Sequence, residues 1–113
     1  MLDVAPELVK ELKAVLPTYA EPVDKKTPIP CITYQETNRR DLHALNGMQY
    51  TVITMRVRVW TTSRRDMASY ADQAETVLRG MGWSVADVGE QAANDRYCKI
   101  LSCNATGQET KTW

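Results

Sequence analysis

The side chains best suited to catalysis or metal binding are one histidine and three cysteines, and their spacing does not assemble a reactive group. A nucleophilic pair would need His43 within hydrogen-bond distance of Cys31, Cys98 or Cys103, and nothing in the spacing predicts this. A structural zinc site needs closely spaced ligand pairs, whereas Cys98 and Cys103 have four residues between them and no second pair. We therefore predict no catalytic residue, no metal and no cofactor, and we predict that the protein is not an enzyme.

The glycines of Gly80-Met81-Gly82 are the other pattern that could bind a ligand, in this case a phosphate. The segment lacks the lysine of a Walker motif and the third glycine of a dinucleotide-binding loop. It also follows a helical pattern instead of preceding one, so we interpret it as the end of a helix.

Aromatic and basic side chains alternate with apolar ones between Met48 and Thr61. Side chains alternate between the two faces of a strand, so Ile53, Met55, Val57 and Val59 are predicted to be core. The other face carries Tyr50, Arg56, Arg58 and Trp60 among its residues. Three interpretations stay open for that face: a protein interface, which the residue types favour; packing beneath the first helix; and, least favoured, a platform for single-stranded nucleic acid.

The periodicity around this strand predicts an α+β fold of order α-β-β-β-α-β-β, with an antiparallel or mixed sheet of about four to five strands and two main helices packed on it. Apolar residues at helical spacing place the helices at about 5–16 and 63–81, and Ser63 with Asp66 fits a capping box. Alternation predicts further strands within 18–23, 31–36, 83–88 and 97–105. We expect a turn at 89–94, a mobile loop at about 37–47 that ends in Asn46-Gly47, and a loose tail at about 106–113.

The totals indicate one cytoplasmic domain over residues 1–113, without a secretory signal or an apolar run long enough to span a membrane. The net charge is zero, which argues against bulk attraction to nucleic acid. Its layout is uneven: four basic and six acidic residues over 1–36, six and two over 37–66, and four and six over 67–113. A basic middle between acidic ends is complementary between copies, although it equally describes the solvated faces of a monomer.

The order of these segments resembles the tail completion, or tail terminator, proteins of long-tailed phages and prophages. The resemblance covers roughly residues 5–105. It rests on an N-terminal helix, a proline-rich stretch, and three segments: Pro28-Ile29-Pro30-Cys31-Ile32-Thr33-Tyr34, Val57-Arg58-Val59-Trp60 and Leu78-Arg79-Gly80-Met81-Gly82-Trp83.

The resemblance implies a structural protein that forms a ring, commonly of six copies, on the finished tail tube and joins the tail to the head. The implied partners are a second copy, the tail tube protein and the head connector protein, with assembly in the host cytoplasm and a final place in the virion. The alternatives are another head–tail connector or minor tail component, or a nucleic-acid-binding sheet. From residue type and expected exposure, we predict an interface at Arg39, Arg40, His43, Tyr50, Arg56, Arg58 and Trp60.

Overall fold

Two helices and five strands make up the fold, and their order confirms the predicted α+β class and the order α-β-β-β-α-β-β. The computed structural model describes residues 5–21, 28–43, 49–93 and 96–108. The helices are α1 (Ala5–Leu12) and α2 (Arg64–Gly80). The strands are β1 (Thr18–Ala20), β2 (Cys31–His43), β3 (Gln49–Thr61), β4 (Ser84–Ala93) and β5 (Arg96–Gln108).

The five strands form one mixed sheet of order β1-β2-β3-β5-β4. Strand β1 is parallel to β2, and every other neighbouring pair is antiparallel. Strands β2, β3 and β5 each contain 13 residues, or about 43 Å of extended chain. These long strands make the molecule elongated, with principal dimensions of 52 × 23 × 22 Å.

Helix α2 packs on one face of the sheet, against the residues of β3 that alternation predicted to be core, and α1 packs on the same side against α2 and β1. Ile53, Met55, Val57 and Val59 are buried, with exposed fractions of 3% or less. The helices contribute Leu8, Leu12, Ala71, Ala74 and Leu78 to this core, while β4 and β5 add Val85, Leu101 and Cys103. Removing this apolar area from water is the main stabilisation of the fold.

Helix α2 begins and ends with hydrogen-bonded caps. The Ser63 hydroxyl accepts a hydrogen bond from the Asp66 backbone N–H at 3.4 Å, as the predicted cap requires. At the other end, Gly82 N–H donates to the Arg79 carbonyl and Trp83 N–H donates to the Leu78 carbonyl, at 3.0 and 3.1 Å. This is the Schellman pattern, which needs a left-handed residue, and Gly82 has a φ of +92°. The segment Gly80-Met81-Gly82 is therefore a helix end.

Strand β2 is longer than the sequence predicts. Residues 37–43, expected in a loop, continue β2 after a bulge between Glu36 and Asn38, and they pair with β3 as far as Gln49. The polarity of this segment misled the prediction, because an edge strand does not need apolar side chains. Residues 44–48, the rest of the expected loop, lie outside the described residues.

Other element boundaries also differ from those predicted, including β1, which ends at Ala20. Strand β4 continues to Ala93 through a bulge between Asp87 and Gly89, where a turn was expected. Strand β5 includes residues 106–108 of the expected tail, and 109–113 lie outside the described residues. Helix α1 ends at Leu12, although Leu16 N–H still donates to the Leu12 carbonyl at 3.2 Å.

Candidate functional site

The sheet surface opposite the helices, called here the open sheet face, carries most of the predicted interface residues. Its central row is the alternate set of β3 side chains, which are half-buried: Val52, Thr54, Arg56, Arg58 and Trp60. Register places Thr33 and Gln35 of β2 on one side of this row, and Cys98, Ile100 and Ser102 of β5 on the other. The interpretation that the first helix covers this row is wrong, because Leu8 and Leu12 belong to the core on the opposite face.

A chain of hydrogen bonds crosses the open sheet face from β3 to the residue after β1. Nη1 of Arg58 donates to both carboxylate oxygens of Glu21, at 2.5 and 2.6 Å. The Thr33 hydroxyl donates to Oε1 of Glu21 at 2.9 Å, and its oxygen accepts the indole N–H of Trp60 at 3.0 Å. The Arg58 and Glu21 side chains are only 19% and 12% exposed. The polar atoms of Arg58 and Trp60 are therefore already hydrogen-bonded within the protein, where they fix Glu21 and Thr33 at the β1 edge of the sheet.

Arg56 has a different environment two residues earlier on the same strand face. Its Nε is buried, and no described group accepts its hydrogen. The residues opposite Arg56 are Gln35 and Ser102, neither of which is acidic. The next pair along the row is already satisfied, since the Thr54 hydroxyl donates to Oδ1 of Asn104 at 2.7 Å. Arg56 is therefore a cation without an internal counterion among the described residues.

The structure separates the two arginines predicted in the loop. Arg40 is exposed and lies opposite Val52, which places it on the open sheet face. Arg39 lies opposite Ile53 on the helix side, where its guanidinium bonds the Glu36 carboxylate at 2.7 Å.

The remaining two predicted interface residues are described by their backbone positions. His43 is the last residue of β2 and pairs with Gln49. Tyr50 lies in β3, between Leu42 and Gln108. The side chains of both are outside the described residues.

Sequence reasoning missed Glu21, Thr33 and Arg96 as residues of this face. Arg96 is exposed at the start of β5, two residues before Cys98 and therefore on the same face. Its alternation with Cys98 was a usable signal, but the strand was predicted to start at Tyr97. Glu21 had no comparable signal, because it is 37 residues away from the arginine that it binds.

The three cysteines are buried free thiols. Burial raises the pKa of Cys98 and of Cys103 to about 12. Burial also raises the pKa of Cys31, against the opposing charge of Arg96. Such thiols stay protonated at neutral pH and are poor nucleophiles. Within the described part of the chain, no group of three or more His, Cys, Asp or Glu side chains is placed to hold a metal.

These features define a class of protein: an α+β domain with one broad sheet face that its own helices leave uncovered. The family described as "Tail completion protein gp17" matches residues 8–100, so the chain belongs to this family. No curated protein matches the sequence significantly. The family confirms the resemblance read from the sequence.

Family membership makes the protein a component of phage tail morphogenesis. It implies interaction with other phage tail or head components, and a place in the virion. A structural family of this kind points to a role without catalysis. Neither described helix is both long enough and apolar enough to cross a membrane.

Proposed function

We propose that this protein caps the completed tail tube and joins it to the head connector, acting as a ring of identical copies. The observation that carries the proposal is the family match over residues 8–100, together with a sheet face that its own helices leave uncovered. It acts by surface recognition, assembles in the host cytoplasm and remains at the junction of head and tail.

A ring of identical subunits needs two different complementary surfaces on each copy. The two edges of the sheet supply distinct surfaces. Strand β1 pairs with β2 only at residues 32–34, so β2 from Gln35 onward has a described neighbour on one side only. Strand β4 at the opposite edge pairs only with β5 among the described strands. We propose that Arg39 and His43 contact the neighbouring copy along the β2 edge, whereas Arg40 belongs to the open sheet face.

The open sheet face is a further contact surface in this proposal, separate from the two edges of the sheet. Its aromatic and arginine side chains are the types that contribute most to protein interfaces. Arg56 and Arg40 have no ion-pair partner among the described residues, and we propose that both contact other assembly components. Arg58 and Trp60 form the fixed part of this surface, because hydrogen bonds that run from Trp60 through Thr33 and Glu21 to Arg58 hold both side chains in place.

The experiment is complementation of a phage that lacks this gene. Without the protein, we expect tail tubes of variable length and filled heads that remain separate, because nothing stops the tube or presents a surface to the connector. Adding the purified protein to such an extract is expected to restore infectious particles. Tubes of normal length that join heads without the protein would overturn the proposal.

A further inference from the structure

The charged side chains of the described residues divide unevenly between the two sides of the sheet. The open sheet face carries four arginines and one glutamate, a net charge of +3: Arg40, Arg56, Arg58, Arg96 and Glu21. Apart from Asp41, whose side chain lies outside the described residues, the helices, the helix side of the sheet and its edges carry eight acidic and seven basic residues, a net charge of −1. The net charge of the whole chain is zero, but the open sheet face is basic.

We infer that the open sheet face binds the carboxylates of a different protein of the particle, with Arg56 as its central contact. The inference deepens the proposed function and rests on it, since it names the chemistry of the partner on this face. Arg58 is excluded from the contact because Glu21 already takes up its charge through two hydrogen bonds. The arginines left for a partner are Arg40, Arg56 and Arg96, none of which forms an ion pair among the described residues.

In the unbound protein, Arg56 has a hydrogen-bond donor that is not used by any described acceptor and that a partner's carboxylate could accept from. Its Nε hydrogen is shielded from water and bonded to no described acceptor, which is an unfavourable condition for a charged donor. Rotation of the side chain toward an approaching carboxylate gives that donor an acceptor and the charge a counterion. Arg58, on the same strand face, shows the satisfied arrangement, because its guanidinium and the Glu21 carboxylate form a close pair.

The spacing of the three arginines favours a folded acidic protein over nucleic acid. Arg40 pairs with Val52, so it lies four residues, or about 13 Å, from Arg56 along the strands. Arg96 lies two residues beyond Cys98, the partner of Trp60, which places it about 20 Å from Arg56. Both separations exceed the screening length of about 8 Å at physiological salt. Isolated positive charges suit separate carboxylates, whereas a nucleic-acid backbone presents closely spaced phosphates.

The helix side of a second copy is a poor match for this face. Four of its eight described acids are already in ion pairs within the chain: Glu36 with Arg39, Glu75 with Arg79, Asp87 with Lys99, and Glu90 with Arg64. Its near-neutral charge gives little attraction for a basic surface. A protein with more acidic than basic residues on its surface is therefore the better partner.

Zero-length crosslinking of assembled particles tests the inference. An Arg56→Lys variant keeps the charge and supplies an amine that a carbodiimide couples to a carboxylate in direct contact. We expect mass spectrometry of the crosslinked particles to find position 56 joined to an Asp or Glu of another virion protein. The matched control is Arg65→Lys, an exposed position at the start of α2, where we expect at least tenfold less of this product.

Three results would overturn the inference. They are a crosslink to the same chain in a neighbouring copy, traced by isotope mixing; no enrichment of position 56 over position 65; and salt-sensitive binding of a single-stranded oligonucleotide that Arg56→Glu abolishes. The proposed capping role is read separately, from tube length in the absence of the protein. A crosslink to any tail or head protein supports the inference even if the chain lies elsewhere in the particle.

Discussion

Loss of the ion pair between Arg58 and Glu21 is expected to destabilise the fold. Replacing Arg58 by Met removes the counterion of Glu21, whose side chain is 12% exposed in the native protein, and leaves the Thr33 hydroxyl as its only described side-chain donor. Two charge-assisted hydrogen bonds are lost, and hydrogen bonds to charged groups contribute about 1.5–3 kcal/mol each. Because both side chains keep some contact with water, we expect a decrease in the free energy of unfolding of about 2–3 kcal/mol.

A double-mutant cycle separates this interaction from the packing of the two side chains. Urea unfolding of wild type, Arg58→Met, Glu21→Gln and the double variant gives the coupling energy directly. We expect a coupling of about 1–2 kcal/mol, because the double variant removes both charges and strands neither. Arg65→Met, at an exposed site, is the control and is expected to change stability by less than about 0.5 kcal/mol.

Additive effects of the two substitutions would show that the ion pair does not contribute to stability. If the two single substitutions sum to the effect of the double variant within about 0.3 kcal/mol, the two side chains do not interact in solution. Arg58 would then be available to partners, and the restriction of the interface to Arg40, Arg56 and Arg96 would fail with it.

Three further predictions concern stability and the thiols. Gly82→Ala places a Cβ where nothing lies within 4 Å, but at a φ of +92°, so a backbone cost of about 1 kcal/mol is expected in urea unfolding. Ser63→Ala removes the acceptor for the Asp66 N–H and is expected to cost about 1 kcal/mol, with Ser69→Ala, on the exposed side of the helix, as the control. The thiols of Cys98 and Cys103 have an ordinary pKa of about 9.0 in the unfolded chain, and burial raises the pKa of each to about 12 in the folded state, so the unfolded state loses these protons at lower pH. The contribution of these thiols to stability is therefore fully present below pH 9 and is lost between pH 9 and about 12. Cys98→Ala is expected to flatten that decrease in stability, and an unchanged slope would contradict the assignment.

Much of the fold was predictable because its central elements have strong periodicity. The alternation in β3 identified all four core residues of that strand, and the cap at Ser63 placed the start of α2 within one residue. The boundaries failed where side-chain chemistry does not distinguish strand from loop. Residues 37–43 are mostly polar and pair only with β3 among the described strands, and the bulge near Gly89 resembles a turn in sequence.

The candidate site was predictable in its composition but not in its bonding. Alternation placed Arg56, Arg58 and Trp60 on one strand face, and the structure confirms that they share it. Sequence reasoning treated the two arginines as equivalent. They differ because Glu21, brought beside Arg58 by the parallel pairing of β1 with β2, neutralises only one of them.

Reconstruction of the junction between head and tail by electron cryomicroscopy would show directly where the protein lies in the particle. We expect a closed ring of this chain between the last layer of the tail tube and the head connector, with Arg56 facing carboxylates of another protein. A junction whose density is complete without this chain would rule out the proposed capping and joining role.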